Sequence, residues 1–367
     1  MANLQSAHRG SLLGLAVGDA MGYTVDASSW DQIRADYGPN GLLGYDLVNG
    51  YAEISSHTQL AAFACNGLLL GLTRGQMQGR MAPFVRYVGL AAKEWAQTQR
   101  YRSGPPPRTF CWVARVKELC ARRCMDTLML DTLTRDRTGS MEDRVNRFDS
   151  PGMLLAAVSV GIFSDLGKIA EEESDRLGAE VVALTHGSPM AFLSGAMTAN
   201  MIRNLLRMPE LTLDVLLEGA MARLRDQFGT AYPQTEGLWK LLRLARDMAA
   251  SDEISTVEAM ERLGCRSAAE CLAGAVYACL VSGDDFDTAM ITAVNHSGYS
   301  AAVGALTGAI LGAKLGEDAL PDFYLECLAP APHLAELADD MAQGCPMDLG
   351  SAMFDDDWDR KYVHGGS

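Results

Sequence analysis

The sequence predicts an all-α protein that folds as a single compact orthogonal bundle of helices. Three observations support this prediction. Apolar residues recur at helical spacing through most of the 367 residues. No stretch of useful length alternates apolar and polar residues as a half-buried strand does. Glycine recurs at every fourth position in two places, and a helix turns this spacing into one continuous face.

Two glycine stripes indicate where the central helices lie. They consist of Gly10, Gly14, Gly18 and Gly22 near the N-terminus, and of Gly304, Gly308, Gly312 and Gly316 near residue 310. Each glycine inside a helix costs about 1 kcal/mol relative to alanine, so four in one helix indicate a packing requirement. We expect two central helices here, each crossing another helix at a short distance.

The helices between these stripes are predicted from apolar spacing and from start signals. Apolar residues fall on one face over 110–125 and over 213–228. A serine followed by proline, or a serine followed three residues later by glutamate, is typical of a helix start. These signals occur at Ser150-Pro151, Ser188-Pro189, Ser255 with Glu258, and Ser267 with Glu270.

The charge balance excludes some classes of partner. The chain has 46 Asp and Glu against 31 Lys and Arg, which gives a net charge of −15. Nucleic acids and anionic membranes select clusters of Lys and Arg, so we expect neither as a main partner. The longest apolar runs, over 60–72 and 152–163, are shorter than the roughly 18 residues that a membrane span needs.

The cysteines and the N-terminus favour a cytoplasmic protein. Nine cysteines, an odd number without a CxxC pair, predict free thiols in a reducing compartment. The first apolar run, over 12–17, is soon interrupted by Asp19 and does not fit a secretory signal.

The domain organisation is predicted to be simple. No break in composition divides residues 1–330, so we expect one domain there. Residues 331–367 are acidic, and we expect them to form an extension that packs on this domain or trails from it.

Six motifs occur in a fixed order along the chain. They are SLLGLAVGDAMG over 11–22, YGPNG over 37–41, SSHTQL over 55–60, GMLLAAVSVGIF over 152–163, THGSP over 185–189, and NHSGYSAAVGALTGAILGAKLG over 295–316. In this order they resemble the motifs of the ADP-ribosylglycohydrolases, the family that includes dinitrogenase reductase-activating glycohydrolase and the J1 crystallins. The resemblance spans about residues 4 to 328.

The resemblance implies an all-α protein with two Mg²⁺ or Mn²⁺ ions in a cleft. Members of the family hydrolyse the bond between ADP-ribose and a protein side chain or another acceptor. Their metals are held by a T-D-D motif on one side and a D-T-D-T motif on the other. Mg²⁺ requires oxygen ligands, usually including carboxylates, and a metal pair then polarises the ribose and activates water.

This chain departs from the family pattern at the metal positions. The T-D-D positions hold Ser55, Ser56 and His57, the D-T-D-T positions hold Tyr299, Ser300, Ala301 and Ala302, and the Arg and Pro of the middle motif are replaced by Ala156 and Ser159. About four negative charges are lost, and a histidine nitrogen suits Zn²⁺ better than Mg²⁺. We therefore predict that the chain holds no metal and uses no cofactor.

The same resemblance implies the residues of a vestigial substrate cleft. They are Asp19, Ser55, Ser56, His57, Gly152, Met153, His186, Asn295, Tyr299 and Ser300. His57 is interpreted as a polar cleft residue, with a metal ligand as the less favoured alternative. His186 either faces a ligand or caps the helix that follows it.

Three more positions in this cleft leave alternatives open. Asp19 is either a remaining acid or a buried, hydrogen-bonded carboxylate that orients a loop, and we favour the second. Gly152 and Met153 are expected to open a helix whose free N–H groups could receive a phosphate. Tyr299 either stacks on a base or fills the space that the metals occupy in the family, and filling is the simpler account.

Three functional hypotheses follow from these residues. The leading one is an ADP-ribosylglycohydrolase-like protein that lacks dimetal hydrolysis and binds ADP-ribose, a nucleotide or an ADP-ribosylated protein. The second is an active hydrolase of ADP-ribosyl or other glycosidic bonds that is metal-poor and uses two carboxyls, drawn from Asp19, Asp26, Asp46 and Glu53. The third is a structural or interaction scaffold whose cleft is closed by Tyr299. The sequence assigns no catalytic residue and leaves open whether the chain is an enzyme.

Overall fold

The fold is entirely helical within the part of the chain that the structure describes. The structure is a computed structural model, and it describes residues 3–100, 109–124, 126–135, 137–164, 166–167, 169–350 and 354–366. The only β-type pairing in these residues is an isolated bridge between Val48 and Tyr51. The predicted all-α class is therefore confirmed.

Seventeen α-helices occur in these described ranges. They are α1 (Leu4–Thr24), α2 (Trp30–Tyr37), α3 (Ser56–Gln78), α4 (Phe84–Arg100), α5 (Thr127–Thr134), α6 (Ala156–Phe163), α7 (Glu171–Ala183), α8 (Pro189–Arg207), α9 (Leu213–Phe228), α10 (Thr235–Ala249), α11 (Thr256–Leu263), α12 (Ala268–Ser282), α13 (Phe286–Val294), α14 (Ser300–Leu315), α15 (Asp322–Glu326), α16 (Ala331–Gln343) and α17 (Asp356–Tyr362).

The two predicted central helices, α1 and α14, pack against each other in antiparallel directions. Their glycine stripes face one another: a Cβ placed on Gly14 would overlap the carbonyl oxygen of Gly308, and one on Gly18 would overlap that of Gly304. At the end of the stripe, a Cβ on Gly22 would overlap the backbone of Ser300. The stripes therefore allow the backbones of the two helices to touch directly, and a side chain at any of these positions would prevent that contact.

The rest of the bundle surrounds this pair. Helices α3, α12, α13 and α16 contact α1 or α14, while α6 packs on α3, α7 and α8, and α8 also packs on α7. Helices α7 and α8 repeat the close approach on a smaller scale, because a Cβ on Gly178 would lie 2.7 Å from the carbonyl oxygen of Gly195. The core is continuous across these layers.

One predicted helix does not form, and another begins later than predicted. Residues 110–124 contain two short 3₁₀ helices, Trp112–Arg115 and Glu118–Cys120, with extended backbone at Val116 between them, and residue 125 lies outside the described residues. The helix expected at Ser150-Pro151 begins only at Ala156, after successive i→i+3 turns over 151–155. Its start signal failed because the Ser150 hydroxyl donates to Asp126, 2.5 Å away, and does not cap the helix.

The other start signals are confirmed in whole or in part. Helix α8 begins at Pro189 after Ser188, although no side chain caps it. Ser267 and Glu270 form the complete capping box at the start of α12. Ser255 accepts a hydrogen bond from the Glu258 N–H at α11, which is half of the predicted box. The helix over 213–228 is α9, with the same bounds.

The segment after residue 330 contacts the bundle, and the domain boundary at that point stays a prediction. Helix α16 packs on α1, where the Arg9 guanidinium lies 2.6 Å from an oxygen of Asp339. Helix α17 packs on α3, where the Trp358 indole N–H donates to the Thr73 hydroxyl over 2.9 Å.

The structure also tests the predictions about the cysteines and about membrane-spanning helices. All nine cysteines are free, as predicted. No helix in the described ranges combines the length and apolar character that crossing a membrane requires.

Candidate functional site

A cleft of about 310 Å³ opens at the end of the α1–α14 interface. Of the predicted site residues it is lined by Ser55, Ser56, His57, Gly152 and Tyr299. The other lining residues are Tyr23, Asp26, Arg123, Asp126, Thr127, Leu128, Phe148, Asp149, Ser150 and Pro151. The structure thus brings together the start of α3, the end of α1, the start of α14 and the segment before α6.

Asp19 lies behind this cleft and fixes the start of α3. Its fully buried carboxylate accepts hydrogen bonds from the backbone N–H groups of Ser55 (2.9 Å) and Thr58 (3.1 Å), and from both of their hydroxyls. Four donors account for a buried charge without a metal. This is the arrangement expected of a carboxylate that orients a loop.

His57 faces the cleft from the first turn of α3. Its backbone N–H donates to the Ser55 hydroxyl (3.1 Å), and its Nδ1 has no hydrogen-bond partner among the described residues. Burial lowers the pKa of His57, although the carboxylates of Asp19 and Asp126 act in the opposite direction. The imidazole is therefore neutral at neutral pH.

Asp26 reaches the cleft just beyond the end of α1. It accepts a hydrogen bond from the Ala301 N–H (3.1 Å) in the first turn of α14. Burial raises the pKa of Asp26 to about 7, and the nearby negative charge of Asp19 raises it further, while the backbone N–H groups of α14 lower it. At neutral pH this carboxyl is divided between its two protonation states.

A second carboxylate, Asp126, lies in the cleft wall at the start of α5. It caps that helix by accepting the Met129 N–H (2.8 Å), and it also accepts the Ser150 hydroxyl. His186 Nε2 lies 2.7 Å from the Ser150 Oγ and 3.5 Å from the carboxylate of Asp126, and its Nδ1 lies 2.8 Å from the Thr185 hydroxyl. The four side chains form one hydrogen-bonded chain.

His186 is fully buried within this chain, so it neither lines the cleft nor caps α8. Burial alone would raise the pKa of Asp126, but the hydrogen bonds from His186, Ser150 and the Met129 N–H lower it to about 2. Gly152 leaves room for the chain, because a Cβ there would lie 2.8 Å from the Asp126 carboxylate.

Tyr299 lines the cleft at the start of α14 and is only partly buried. The cavity beside it stays open, so the ring does not close it as the scaffold hypothesis expects. Its position is set by the loop before it, where the Tyr299 N–H donates to the carbonyl of Cys265 (2.8 Å). His296 braces the same loop by accepting the Gly298 N–H (2.9 Å).

Three other predicted site residues lie outside the lining. Asn295 is buried, accepting the Leu42 N–H (2.8 Å) and donating to the Leu42 carbonyl (2.9 Å), so it holds the 37–41 motif in place. Ser300 is buried and packs its backbone on Gly22. Met153 is fully buried in the core, and because the helix begins at Ala156 the N-terminal site expected at Gly152 and Met153 does not form.

The donors at the former metal motifs do not fit a pair of Mg²⁺ ions. Ser55 is engaged by Asp19, His57 offers a nitrogen, and Ala301 offers only a methyl group and a backbone N–H already bonded to Asp26. Within the described ranges, no group of three or more His, Cys, Asp or Glu side chains could hold a metal ion. Mg²⁺ prefers an octahedral oxygen shell that usually includes carboxylates, and these positions supply none.

Most of the acidic residues that the sequence analysis considered for catalysis lie outside the cleft lining. Among Asp19, Asp26, Asp46 and Glu53, only Asp26 lines it. Asp46 accepts the Tyr37 hydroxyl (3.0 Å) on the surface, and Glu53 pairs with Arg123.

Sequence reasoning missed three residues of the cleft wall: Asp126, Phe148 and Ser150. Asp126 had one local signal, since Asp followed by Thr suits a helix N-cap. Its contacts with Ser150 and His186 join residues 24 and more positions apart, and spacing does not show them.

Comparison with known proteins identifies the family and supports the fold. The sequence model described as ADP-ribosylglycohydrolase matches residues 1–349. A solved chain described as an ADP-ribosylglycohydrolase-related protein complex is similar in structure, with a TM-score of 0.56 and 20% identity, over 94% of this chain and 99% of that chain. That likeness concerns the fold alone, and no curated protein matches at a significant level. Since the family match covers nearly the whole sequence, the chain belongs to the ADP-ribosylglycohydrolase family.

Proposed function

We propose that this protein binds an ADP-ribosyl group, free or attached to a protein, in its cleft and does so without a dimetal centre. The observation that carries the proposal is that the cleft has a cavity of about 310 Å³, although the metal ligands of the family are missing from it. The family match supports an ADP-ribosyl ligand, and the donor set supports a metal-free site. On this proposal, the protein is a member of a hydrolase family that lacks the dimetal centre of that family.

The lining suits such a ligand. Tyr23, Phe148 and Tyr299 supply partly exposed rings, while Ser56 and the neutral His57 supply uncharged hydrogen-bonding groups. Pockets that combine apolar walls with a few polar groups are typical of small-molecule sites. Nine free thiols support the further proposal of a reducing, cytoplasmic setting.

Titration calorimetry with ADP-ribose in EDTA, and again with excess Mg²⁺, tests the proposal. We expect the same dissociation constant in both buffers and no heat of Mg²⁺ binding. Tyr299→Ala should weaken ADP-ribose binding about 5-fold, because a lost aromatic contact costs about 1 kcal/mol. Tyr37→Ala is the matched control, since Tyr37 lies on the surface outside the cleft lining.

Two results would contradict the proposal. Binding that requires Mg²⁺ would mean that a metal site exists despite the donor set. No binding of ADP-ribose in either buffer would favour the scaffold hypothesis.

A further inference from the structure

We infer that a groove beside the cleft is a docking surface for an acidic segment of a partner protein. The groove has a volume of about 470 Å³ and is formed by α5, the residues just after it and the segment over 143–148. Leu128 and Phe148 line both the groove and the cleft, so the two openings share one wall. The inference goes beyond the proposed function, because the groove binds its partner whether or not the cleft holds a ligand.

Three arginines give the groove its positive charge. Arg135, Arg137 and Arg144 line it, and all three are exposed. Arg137 pairs with Asp143 at the edge of the groove. Arg135 and Arg144 have no ion pair or side-chain hydrogen bond with any residue that the structure describes. Two guanidinium groups are therefore available to an anion that enters the groove.

The acidic residues of the groove do not cancel this charge. The described lining contains two of them, Asp131 and Asp143. Asp131 lies 3.5 Å from the guanidinium of Arg100, outside the lining, and Asp143 is the partner of Arg137. Since both carboxylates already have a cation beside them, the charge of Arg135 and Arg144 remains in excess.

The charge of this segment contrasts with that of the rest of the chain. Residues 101–150 contain ten of the 31 basic residues but only seven of the 46 acidic ones, although the net charge of the chain is −15. A strongly acidic protein repels a nucleic acid as a whole, whereas a short acidic peptide needs only the local charge of the groove. The charge pattern therefore favours a protein partner over a nucleic acid.

The chemistry of the lining favours carboxylates set among apolar side chains. Arginine binds a carboxylate through two parallel hydrogen bonds from its planar guanidinium, and arginine is enriched at protein interfaces. Leu128 is 52% exposed, and Val145 and Phe148 are partly exposed on the same groove. A partner segment that alternates acidic and apolar residues would cover both kinds of group.

The wall of the groove is held in place before any partner binds. The side-chain amide of Asn146 donates to the carbonyl of Thr185 (2.7 Å), and its oxygen accepts the N–H groups of Gly187 (2.9 Å) and Phe148 (3.0 Å). These bonds tie the segment over 143–148 to the loop before α8. A surface that is ordered in advance loses less conformational freedom on binding.

Fluorescence anisotropy with the full chain tests the inference. The probe is a short fluorescein-labelled peptide in which glutamate alternates with leucine and serine. We expect saturable binding that weakens as the salt concentration rises, because exposed charges are screened. Two control peptides, one with glutamine in place of glutamate and one with serine in place of leucine, should each bind at least about 3-fold more weakly.

Substitutions in the groove show where the peptide binds. Arg135→Gln and Arg144→Gln should each weaken binding about 3-fold, and the double variant about 10-fold, because two exposed ion pairs are lost independently. Arg80→Gln is the matched control, since Arg80 is exposed and lies outside the groove lining; it should stay within about 2-fold of the unmodified protein. All of these side chains are exposed, so the variants are expected to fold, and thermal unfolding verifies this.

Reversing the charge gives a test that loss of structure cannot imitate. Arg135→Glu combined with Arg144→Glu should abolish binding of the glutamate peptide. The same double variant should bind a peptide with lysine in place of glutamate more tightly than the unmodified protein does. If neither change is seen, the peptide does not bind in this groove and the inference is wrong.

Three further results would overturn the inference. The first is no binding of the glutamate peptide at low salt, and the second is an equal loss of binding in Arg80→Gln and in the double glutamine variant. The third is a single-stranded oligonucleotide that binds more tightly than the peptide and is weakened by the same variants, which would make the groove a nucleic-acid surface.

Calorimetry with ADP-ribose on the same samples separates this inference from the proposed function. The double glutamine variant should bind ADP-ribose as the unmodified protein does, because Arg135 and Arg144 lie outside the cleft lining. If the peptide binds but ADP-ribose does not, the proposed function fails and the docking groove stands. If ADP-ribose binds but the peptide does not, the reverse holds.

Discussion

The interface between α1 and α14 and the cleft at its end lie on the same two helices but tolerate change very differently. Along the interface, glycine faces glycine, and any Cβ would overlap the opposite backbone. One residue beyond the last contact, at Tyr299, the side chain points into a cavity, and Ala301 stands where the family has an acid. A backbone contact leaves no room for substitution, whereas a site made of side chains can be replaced while the fold persists.

The largest expected effect comes from adding one carbon to the interface. In Gly18→Ala the new Cβ would overlap the backbone of Gly304, and neither helix can shift without breaking the contacts beside it. We expect a loss of more than about 4 kcal/mol in the free energy of unfolding, or no folded protein at all. Urea unfolding followed by circular dichroism measures this. A variant as stable as the unmodified protein would show that the two backbones do not meet as described.

Asp19 joins the two regions, and its removal should have the next largest effect. It lies on α1, and its four hydrogen bonds fix Ser55 and Thr58 at the cleft. Asp19→Ala leaves two buried N–H groups and two hydroxyls without a partner, so we expect a loss of about 3 kcal/mol. Denaturant titration measures the loss. Ser55→Ala removes one of the four donors to Asp19 and the hydroxyl that accepts the His57 N–H, and it should cost about 1–2 kcal/mol. Equal losses in both variants would contradict this account.

The loop that carries Tyr299 should make the cleft side sensitive to acid. His296 donates from Nε2 to the Ala293 carbonyl (3.0 Å) and accepts the Gly298 N–H at Nδ1, so the ring is neutral. Burial lowers its pKa to about 4, with Glu261 and Arg266 as the charged neighbours. A protonated ring would turn an N–H toward Gly298.

The sign of the effect follows from this shift. Between pH 6.5 and 4 the unfolded chain binds a proton on His296 that the folded protein does not bind, so stability falls as the pH falls through this window. The loss attributable to His296 is at most about 3 kcal/mol. It is measured as the difference in unfolding free energy between pH 7 and pH 4.5 for the unmodified protein and for His296→Asn. If both lose the same amount, His296 is not the cause.

The same contrast explains what the sequence could predict. The glycine stripes predicted the central pair of helices, because a glycine at every fourth position is a local pattern that the sequence shows directly. No residue with a Cβ fits at those positions. The sequence predicted only part of the cleft. Ser55, His57 and Tyr299 stand in motifs, but Asp126 meets Ser150 and His186 through tertiary contacts. Ser150 shows the limit most directly: its Ser-Pro signal predicts a helix cap, and a carboxylate from another segment takes its hydroxyl instead.

The smallest effect should come from a glycine-to-alanine substitution at a position where no neighbouring atom lies in the way of the new Cβ. Gly219 lies on the exposed face of α9, and a Cβ there would meet no atom within 4 Å. Alanine loses less conformational freedom than glycine when a helix forms, so Gly219→Ala should raise the free energy of unfolding by about 0.5–1 kcal/mol. Thermal and urea unfolding, run beside Gly18→Ala, measure both signs. Helix propensity predicts a gain at both glycines, so a loss at Gly18 alone would isolate the contact between the two backbones as the cause.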